Sequence, residues 1–111
     1  MSTRQTRSTL RRNLRAEVFK ALADESRLEV LMRLACATRP QTVSEITDCC
    51  GIHISGVSRH LATLREAGIV SAERSGREVR YRLDAEEVTT LLRDLADVID
   101  TCRQNCCEEE R

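Results

Sequence analysis

The segment that decides the fold runs from Val43 to Gly68 and reads VSEITDCCGIHISGVSRHLATLREAG. Its first half repeats apolar side chains at a helical spacing, namely Val43, Ile46 and Cys50. Its second half does the same after a glycine, with Val57, Leu61 and Leu64. Gly51 and Gly68 are suited to end the two helices, because glycine adopts a left-handed backbone without steric cost. The segment therefore predicts a helix-turn-helix over residues 43–67, with its turn just after Cys50.

Two further helices are predicted upstream of this segment. The first begins near residue 10 and carries an apolar stripe of Leu10, Leu14, Val18, Ala21 and Leu22. Asp24 is the expected N-cap of the second helix, whose inner face is predicted to be Leu28, Leu31, Met32 and Ala35. This helix is expected to stop at Arg39-Pro40, and Thr42 or Ser44 is expected to open the next one.

Downstream, residues 69–83 change from a helical to an alternating pattern. Val79, Tyr81 and Leu83 alternate with Glu78, Arg80 and Arg82, and Ser75-Gly76 interrupts the run as a hairpin turn does. Residues 84–107 then predict a last helix, opened by Asp84 and Glu87, with a stripe of Val88, Leu91, Leu92, Leu95, Ile99, Cys102 and Cys106. A domain this small has little chain left to cover that stripe, so we expect a two-fold partner to bury it.

The composition fits one small domain with an aliphatic core. The chain has 111 residues, 41% of them apolar and 32% charged, with one Phe, one Tyr and no Trp. Together with the elements above, it predicts a mainly α domain with a small β-hairpin over residues 1–111, a dimeric winged helix-turn-helix with a basic, flexible arm at residues 1–9. No stretch reaches the roughly 20 apolar residues of a membrane span, so we expect a cytoplasmic protein without a membrane partner.

The charge is unevenly distributed along the chain, although the formal net charge is zero. Residues 1–20 hold six basic and one acidic side chain, and residues 52–83 hold six and three. Residues 21–51 hold three and five, and residues 84–111 hold three and nine. Because a nucleic acid responds to the local field, a basic arm and a basic middle favour binding to DNA despite the neutral total.

Side chains suited to contact DNA lie on the predicted fourth helix and on the hairpin. Ser and Thr hydroxyls reach bases or phosphates, and an Arg forks to guanine or pairs with phosphate. The candidates on the helix are Ser55, Ser58, Arg59, His60, Thr63 and Arg65. Those on the hairpin are Arg74, Arg77, Arg80 and Arg82, which are expected to contact the phosphate backbone. The predicted partner is double-stranded operator DNA.

Three motifs resemble the ArsR/SmtB metalloregulators: ALADESRL at residues 21–28, VSRHL with LREAG at residues 57–68, and EVRYRL at residues 78–83. The resemblance spans about residues 15–100, and the three motifs occur in the right order at the right separations. It implies a winged helix dimer that represses its own operon and releases DNA when an inducer binds.

Six cysteines in a chain expected to be cytosolic favour metal ligation or thiol sensing over disulfides. Cys36 stands alone near the end of the second helix and is expected to be a small core residue. The others form two clusters, Cys49-Cys50 and Cys102, Cys106 and Cys107. Cys50 shares the inner face with Ile46, whereas Cys49 lies about 100° round the helix and is expected to be more exposed. Cys107 lies where the last helix is expected to fray.

We predict that Cys49, Cys50 and one or more of Cys102, Cys106 and Cys107 bind arsenite or antimonite as a three-thiolate complex. Cadmium, lead and mercury are alternatives, since they also favour sulfur, and no organic cofactor is expected. The chain departs from two sites of the family it resembles. Thr42-Val43-Ser44-Glu45-Ile46 lacks the cysteines of arsenic sensors, and residues 84–111 lack the histidines of the zinc site.

Other interpretations remain open at this point. The cysteines would also suit a redox or persulfide switch that forms a disulfide without metal. A thiol enzyme is disfavoured because there is no C-x-x-C pair and no evident acid or base beside a thiol. An interaction module with structural cysteines is the last alternative. His53 and His60 are weak candidates for metal ligands.

Overall fold

The computed structural model describes the backbone of residues 15–109 and the side chains of residues 15–105. Its elements in chain order are α1 (Ala16–Leu22), α2 (Glu25–Cys36), β1 (Gln41–Thr42), α3 (Val43–Cys50), α4 (Ile54–Glu66), β2 (Val70–Ser75), β3 (Glu78–Leu83) and α5 (Ala85–Glu109). The described residues divide into two units, one of residues 16–85 and one of Arg15 with residues 86–109. This confirms the predicted mainly helical chain with a small antiparallel sheet.

The junction of α1 and α2 is held by Asp24 and Arg27. Asp24 is the N-cap of α2, as predicted, because its Oδ1 accepts the backbone N–H of Arg27 at 3.0 Å. The Nε of Arg27 donates to the carbonyl of Ala21 at 2.9 Å, at the end of α1. A cation that binds the last carbonyls of a helix also complements the negative end of its dipole. The same short segment therefore caps the start of α2 and the end of α1.

The inner face of α2 differs from the prediction. The buried residues are Val30, Leu31 and Leu34, whereas Leu28 and Met32 are 41% and 56% exposed and Ala35 is exposed as well. Both sets fit a helical spacing and share Leu31, so periodicity alone does not choose between two faces of a helix that is apolar on both. The second apolar face of α2 is thus left at the surface of the unit.

The start of α3 is formed by a short strand and a capping box. Thr42 Oγ1 accepts the backbone N–H of Glu45 at 3.2 Å, and Glu45 Oε1 accepts that of Thr42 at 3.2 Å. This identifies Thr42, rather than Ser44, as the N-cap. Gln41 is buried, and its Nε2 donates to the carbonyl of Arg39 at 2.9 Å, which satisfies a polar group in the interior.

The helix-turn-helix forms as predicted. Gly51 ends α3 with φ 63°, a left-handed conformation that favours glycine. Gly56 in the first turn of α4 allows close packing, because an added Cβ would lie 3.1 Å from Cγ2 of Ile52. The core of this unit is aliphatic, and its largest fully buried side chains are Ile46, Leu61, Leu64, Ile69, Val18, Val30 and Val57.

The hairpin of β2 and β3 confirms the predicted wing. Val70 pairs with Leu83 and Ser75 with Glu78, so Gly76 and Arg77 form a two-residue turn, with Gly76 at φ 63°. β1 pairs with β3 on the other side, which gives the strand order β1-β3-β2. The sequence did not predict β1, because two residues are too few to show alternation.

The second unit contains α5 and Arg15. Val88 and Leu91 are buried, whereas Leu92 and Ile99 on the same stripe are 43% and 51% exposed. Arg15 Nη1 lies 3.8 Å from Glu87 Oε2. The helix runs on to Glu109, past the position where the sequence predicted fraying. None of the helices between residues 15 and 109 combines the length and apolar character needed to cross a membrane.

The first predicted helix is only partly described. Arg15 is not helical and α1 begins at Ala16, so the stripe expected from residue 10 does not continue unbroken into α1. Leu10, Leu14 and the arm at residues 1–9 lie outside the described residues.

Candidate nucleic-acid interface and thiol groove

The outer face of α4 carries most of the predicted DNA-contacting side chains. Val57, Leu61 and Leu64 anchor the helix in the core, which turns Ser55, Ser58, Arg59 and Arg65 to the surface, where all four are exposed. Small hydroxyl side chains with an arginine between them allow a helix to approach the floor of a major groove.

His60 and Thr63 are less available than the other candidates on α4. His60 is half-buried, and its charge contributes to lowering the pKa of Asp24, an effect whose largest cause is the backbone N–H of Arg27. Thr63 Oγ1 donates to the carbonyl of Arg59 at 3.1 Å. Both side chains are thus half-buried, unlike the four exposed candidates, and their contact with DNA stays a prediction.

The arginines of the hairpin fall into two pairs. Arg80 lies 2.9 Å from Glu78 and 3.5 Å from Glu45, and Arg82 lies 4.0 Å from Asp84. Arg74 and Arg77 are exposed at the tip, and neither forms an ion pair with another residue of the described range 15–105. Among the residues that the structure describes, no ion pair thus neutralises the two arginines of the tip, and such charge favours phosphate binding.

Cys49 and Cys50 lie at the end of α3, directly before the turn to α4. Cys49 is exposed and Cys50 half-buried, as the helical spacing predicted. Cys50 Sγ donates to the carbonyl of Glu29 in α2 at 3.9 Å. Burial, and then the charges of Glu29 and Cys49, raise the pKa of Cys50 above its ordinary 9.0, with Arg33 acting in the opposite direction.

The prediction for Cys36 was wrong. It is the last residue of α2 and is exposed, because the core face of that helix is the one that carries Val30 and Leu34. Cys36 lies with Cys49 and Cys50 along an open groove of about 610 Å³ between α2 and α3. The α2 side chains that line the groove include Leu28, Glu29 and Met32. Sequence reasoning missed this grouping because it assigned Leu28 and Met32 to the core.

The cysteines of α5 are only partly described. Cys102 is half-buried, and Cys106 and Cys107 lie on the helix with side chains outside the described range. Within that range, no three Cys, His, Asp or Glu side chains are grouped so that they would hold a metal ion. Whether the two cysteine clusters meet thus stays a prediction.

His53 has a structural role that the sequence did not indicate. It is the N-cap of α4, and its Nδ1 accepts the backbone N–H of Ser55 at 3.2 Å. The Oγ of Ser55 lies 2.8 Å from the same nitrogen. This cap positions the first turn of α4, where the candidate DNA contacts begin.

Comparisons with known proteins agree with this geometry. A helix-turn-helix domain family matches residues 22–71. The HTH-type transcriptional regulator KmtR of Mycobacterium tuberculosis is 42% identical over 78 residues, which are 70% of this chain and 58% of KmtR. The arsenical resistance operon repressor of Bacillus subtilis is 36% identical over 88 residues, 79% of this chain and 82% of the repressor. The chain thus spans little more than half the length of KmtR, but most of the length of the Bacillus protein.

One solved structure is similar to this chain in both fold and sequence. It is the homodimeric winged helix-turn-helix DNA-binding domain Mb0332 (fragment 1–100) from Mycobacterium bovis, described as a possible ArsR-family transcriptional regulator. The TM-score is 0.63 at 31% identity, over 88% of this chain and 87% of that one.

Proposed function

Because the chain belongs to the ArsR/SmtB family of winged helix-turn-helix transcriptional regulators, we propose that it is a homodimeric repressor that binds operator DNA and releases it when a thiophilic inducer binds. The family consists of DNA-binding regulators and not of enzymes, in agreement with the expectation that the chain is not a thiol enzyme. The Bacillus subtilis relative is named as an operon repressor, and the Mycobacterium bovis domain is described as homodimeric.

The DNA-binding proposal rests on the observation that the outer face of α4 and the hairpin tip are both exposed. Ser55, Ser58 and Arg59 are exposed on a helix whose other face is anchored in the core. Arg74 and Arg77 extend the surface with charge that the described residues do not neutralise. In this arrangement α4 enters the major groove, and the hairpin contacts the flanking phosphates.

The DNA-binding proposal is tested by titrating a labelled fragment from the promoter of the chain's own gene with the reduced full chain. We expect specific binding that exceeds binding to a scrambled fragment by about 10³-fold or more. Equal affinity for the two fragments would contradict the proposal.

For the inducer, we propose arsenite or antimonite bound by thiolates of Cys49, Cys50 and one or more of Cys102, Cys106 and Cys107. Cadmium, lead and mercury are the alternatives, since each also prefers sulfur ligands. The support from the structure is the exposure of Cys49 and its position at the end of α3, where an ion has access. The cysteines of α5 that complete the site belong to the same subunit or to its partner.

We propose that inducer binding is coupled to DNA binding through the end of α3. Cys50 is bonded to α2 through the carbonyl of Glu29, and only residues 51–53 separate it from α4. An inducer that pulls Cys49 and Cys50 toward a further thiolate would shift the end of α3 and with it the first turn of α4. A change of about 1–3 kcal/mol in DNA binding corresponds to a loss of affinity of about 5 to 150-fold.

The inducer site is tested by arsenite titration of preformed protein–DNA complexes. We expect Cys49→Ser and Cys106→Ser to keep the DNA at arsenite concentrations that release it from the parent. Cys36→Ser is the control, since Cys36 is outside the proposed set, and it is expected to release like the parent. Release from the Cys49 and Cys106 variants at parental concentrations would show that the site is elsewhere.

A further inference from the structure

Arg80 of the hairpin is bound by a carboxylate that belongs to α3. Its Nη1 lies 3.5 Å from Oε1 of Glu45, and its Nη2 donates to Oε2 of Glu78 at 2.9 Å. Its side chain is 34% exposed, compared with 66% for Arg82 on the same face of β3. The guanidinium group of Arg80 is therefore occupied by carboxylates of its own chain.

Glu45 is fixed by bonds other than the one to Arg80. Its Oε1 accepts the backbone N–H of Thr42 at 3.2 Å and the hydroxyl of Thr42 at 3.1 Å, and Arg39 donates to both of its carboxylate oxygens. The backbone of Thr42 pairs with that of Arg80, which places the start of α3 beside β3. Because the Glu45 side chain is already ordered, its pairing with Arg80 costs less side-chain entropy than an exposed pair does.

The pair between Arg80 and Glu78 is the weaker of the two by the same argument. The side chain of Glu78 is 60% exposed, and an ion pair between exposed side chains contributes little because water and salt screen it. Glu45 is 29% exposed and is held at the start of α3. Glu45 is thus the carboxylate that determines where the Arg80 guanidinium lies.

Charge compensation determines whether an arginine adds to DNA binding. Each cation that binds a phosphate displaces counterions from the DNA and so raises the affinity at low salt. Arg80 faces two carboxylates, so this group of side chains carries no net positive charge, and a phosphate that approaches it meets like charge. Arg80 would have to leave Glu45 in order to bind a phosphate.

We propose that Glu45 limits the affinity of the chain for DNA by withholding Arg80 from the phosphate backbone. The inference rests on the proposed function for the hairpin as a DNA contact, and it goes beyond that function in giving a carboxylate of α3 a negative effect on binding. Glu45 acts through Arg80 and is therefore a positioning residue. Its loss is expected to weaken the fold but to strengthen DNA binding, whereas the loss of a purely structural residue would weaken both.

The test compares the parent with Glu45→Gln by fluorescence anisotropy of a labelled duplex of scrambled sequence, using the reduced full chain. Glutamine keeps an oxygen for the capping box and loses the charge that holds Arg80. Glu45→Gln is expected to bind about threefold more tightly at low salt, and its slope of log affinity against log salt is expected to steepen by about 1. Unchanged or weaker binding would overturn the inference.

Two further substitutions separate Arg80 from the general loss of a negative charge. Arg80→Ala is expected to change the slope little in the parent, where Glu45 is intact, and to abolish the gain in the Glu45→Gln background. Arg39→Ala is the matched control, because Arg39 is also bound by Glu45, and the gain is expected to persist with it. A gain that survives Arg80→Ala or disappears with Arg39→Ala would overturn the inference. So would a loss of about 1 in the parent's slope on Arg80→Ala alone.

The outcomes distinguish this inference from the proposed function. A parent that binds no DNA would contradict the proposed function, and this inference with it. A parent that binds DNA while Glu45→Gln shows no gain would contradict this inference alone. Neither measurement needs an inducer, so the result does not depend on which ion the cysteines bind.

Discussion

Thr42 and Glu45 determine where α3 begins, the helix whose last two residues are Cys49 and Cys50. Each side chain accepts the backbone N–H of the other residue, and Glu45 also binds Arg39 and lies 3.5 Å from Arg80 of β3. A single carboxylate thus connects the helix start, the preceding loop and the sheet. The capping box was recognisable in the sequence as T-V-S-E, but its link to Arg80 required β1 to place the two elements side by side.

Thr42→Ala is expected to destabilise the fold by about 1 kcal/mol, because the N–H of Glu45 loses its acceptor at the helix start. Urea unfolding followed by circular dichroism measures the change. Thr42→Ser keeps the hydroxyl and is expected to remain close to the parent. If both variants unfold like the parent, the cap does not contribute as described.

Glu45 also gives stability a defined pH dependence. Its hydrogen bond with Arg39, and then the backbone N–H of Thr42, lower its pKa from an ordinary 4.5 to about 2. A carboxylate with a lowered pKa stabilises the fold above its unfolded value, and this contribution is lost as the pH falls from 4.5 towards 2. The difference in melting temperature between the parent and Glu45→Gln is therefore expected to be full at pH 7 and to shrink over that acid range. A difference independent of pH would argue against this origin.

At the scale of elements, the helix-turn-helix and hairpin were predictable because their signals are local. Gly51 and the Ser75-Gly76 turn act through their own backbone, and Asp24 acts on the backbone three residues away, so each signal is local and was found where expected. Which face of α2 is buried was not predictable from the sequence. Val30 and Leu34 form one apolar face and Leu28 and Met32 another, and only packing against the rest of the unit determines which of the two is buried. The position of Cys36 in the groove depended on that choice.

Arg77 and Arg80 are predicted to differ in DNA binding although they share a hairpin. Arg77 is uncompensated within the described residues, whereas Arg80 is held by Glu45 and Glu78. Arg77→Ala is expected to weaken binding to all sequences alike and to reduce the slope of log affinity against log salt by about 1. Arg80→Ala is expected to change that slope less. The salt dependence of fluorescence anisotropy measures both, and equal slopes would contradict the assignment.

Arg59 on α4 is predicted to contribute to the sequence specificity of DNA binding instead. Its loss is expected to cost about 1–3 kcal/mol on the specific fragment and much less on a scrambled one, as for a side chain that reads a base edge. Measuring the two affinities at one salt concentration decides this. A uniform loss on both fragments would make Arg59 a phosphate contact.

At the scale of the whole molecule, the apolar stripe of α5 is relevant to the formation of the proposed dimer. Leu92 and Ile99 lie on one face of the helix and remain exposed at 43% and 51%. If this face binds the partner subunit, Ile99→Glu places two charges in an apolar interface and is expected to raise the dimer dissociation constant about tenfold or more. Sedimentation velocity measures this. Thr90→Glu, on the opposite face of α5 by helical spacing, is the matched control, and identical behaviour of the two variants would exclude the stripe as the interface.

The most direct test of the central claim is the anisotropy of a labelled promoter fragment bound by the reduced, full-length chain, measured while arsenite, antimonite, cadmium or zinc is added. The account predicts that arsenite or antimonite lowers the affinity at least about fivefold, that zinc does not, and that Cys49→Ser removes the response. If the reduced protein holds its DNA equally well with every thiophilic ion, the account of a thiol-gated repressor is wrong.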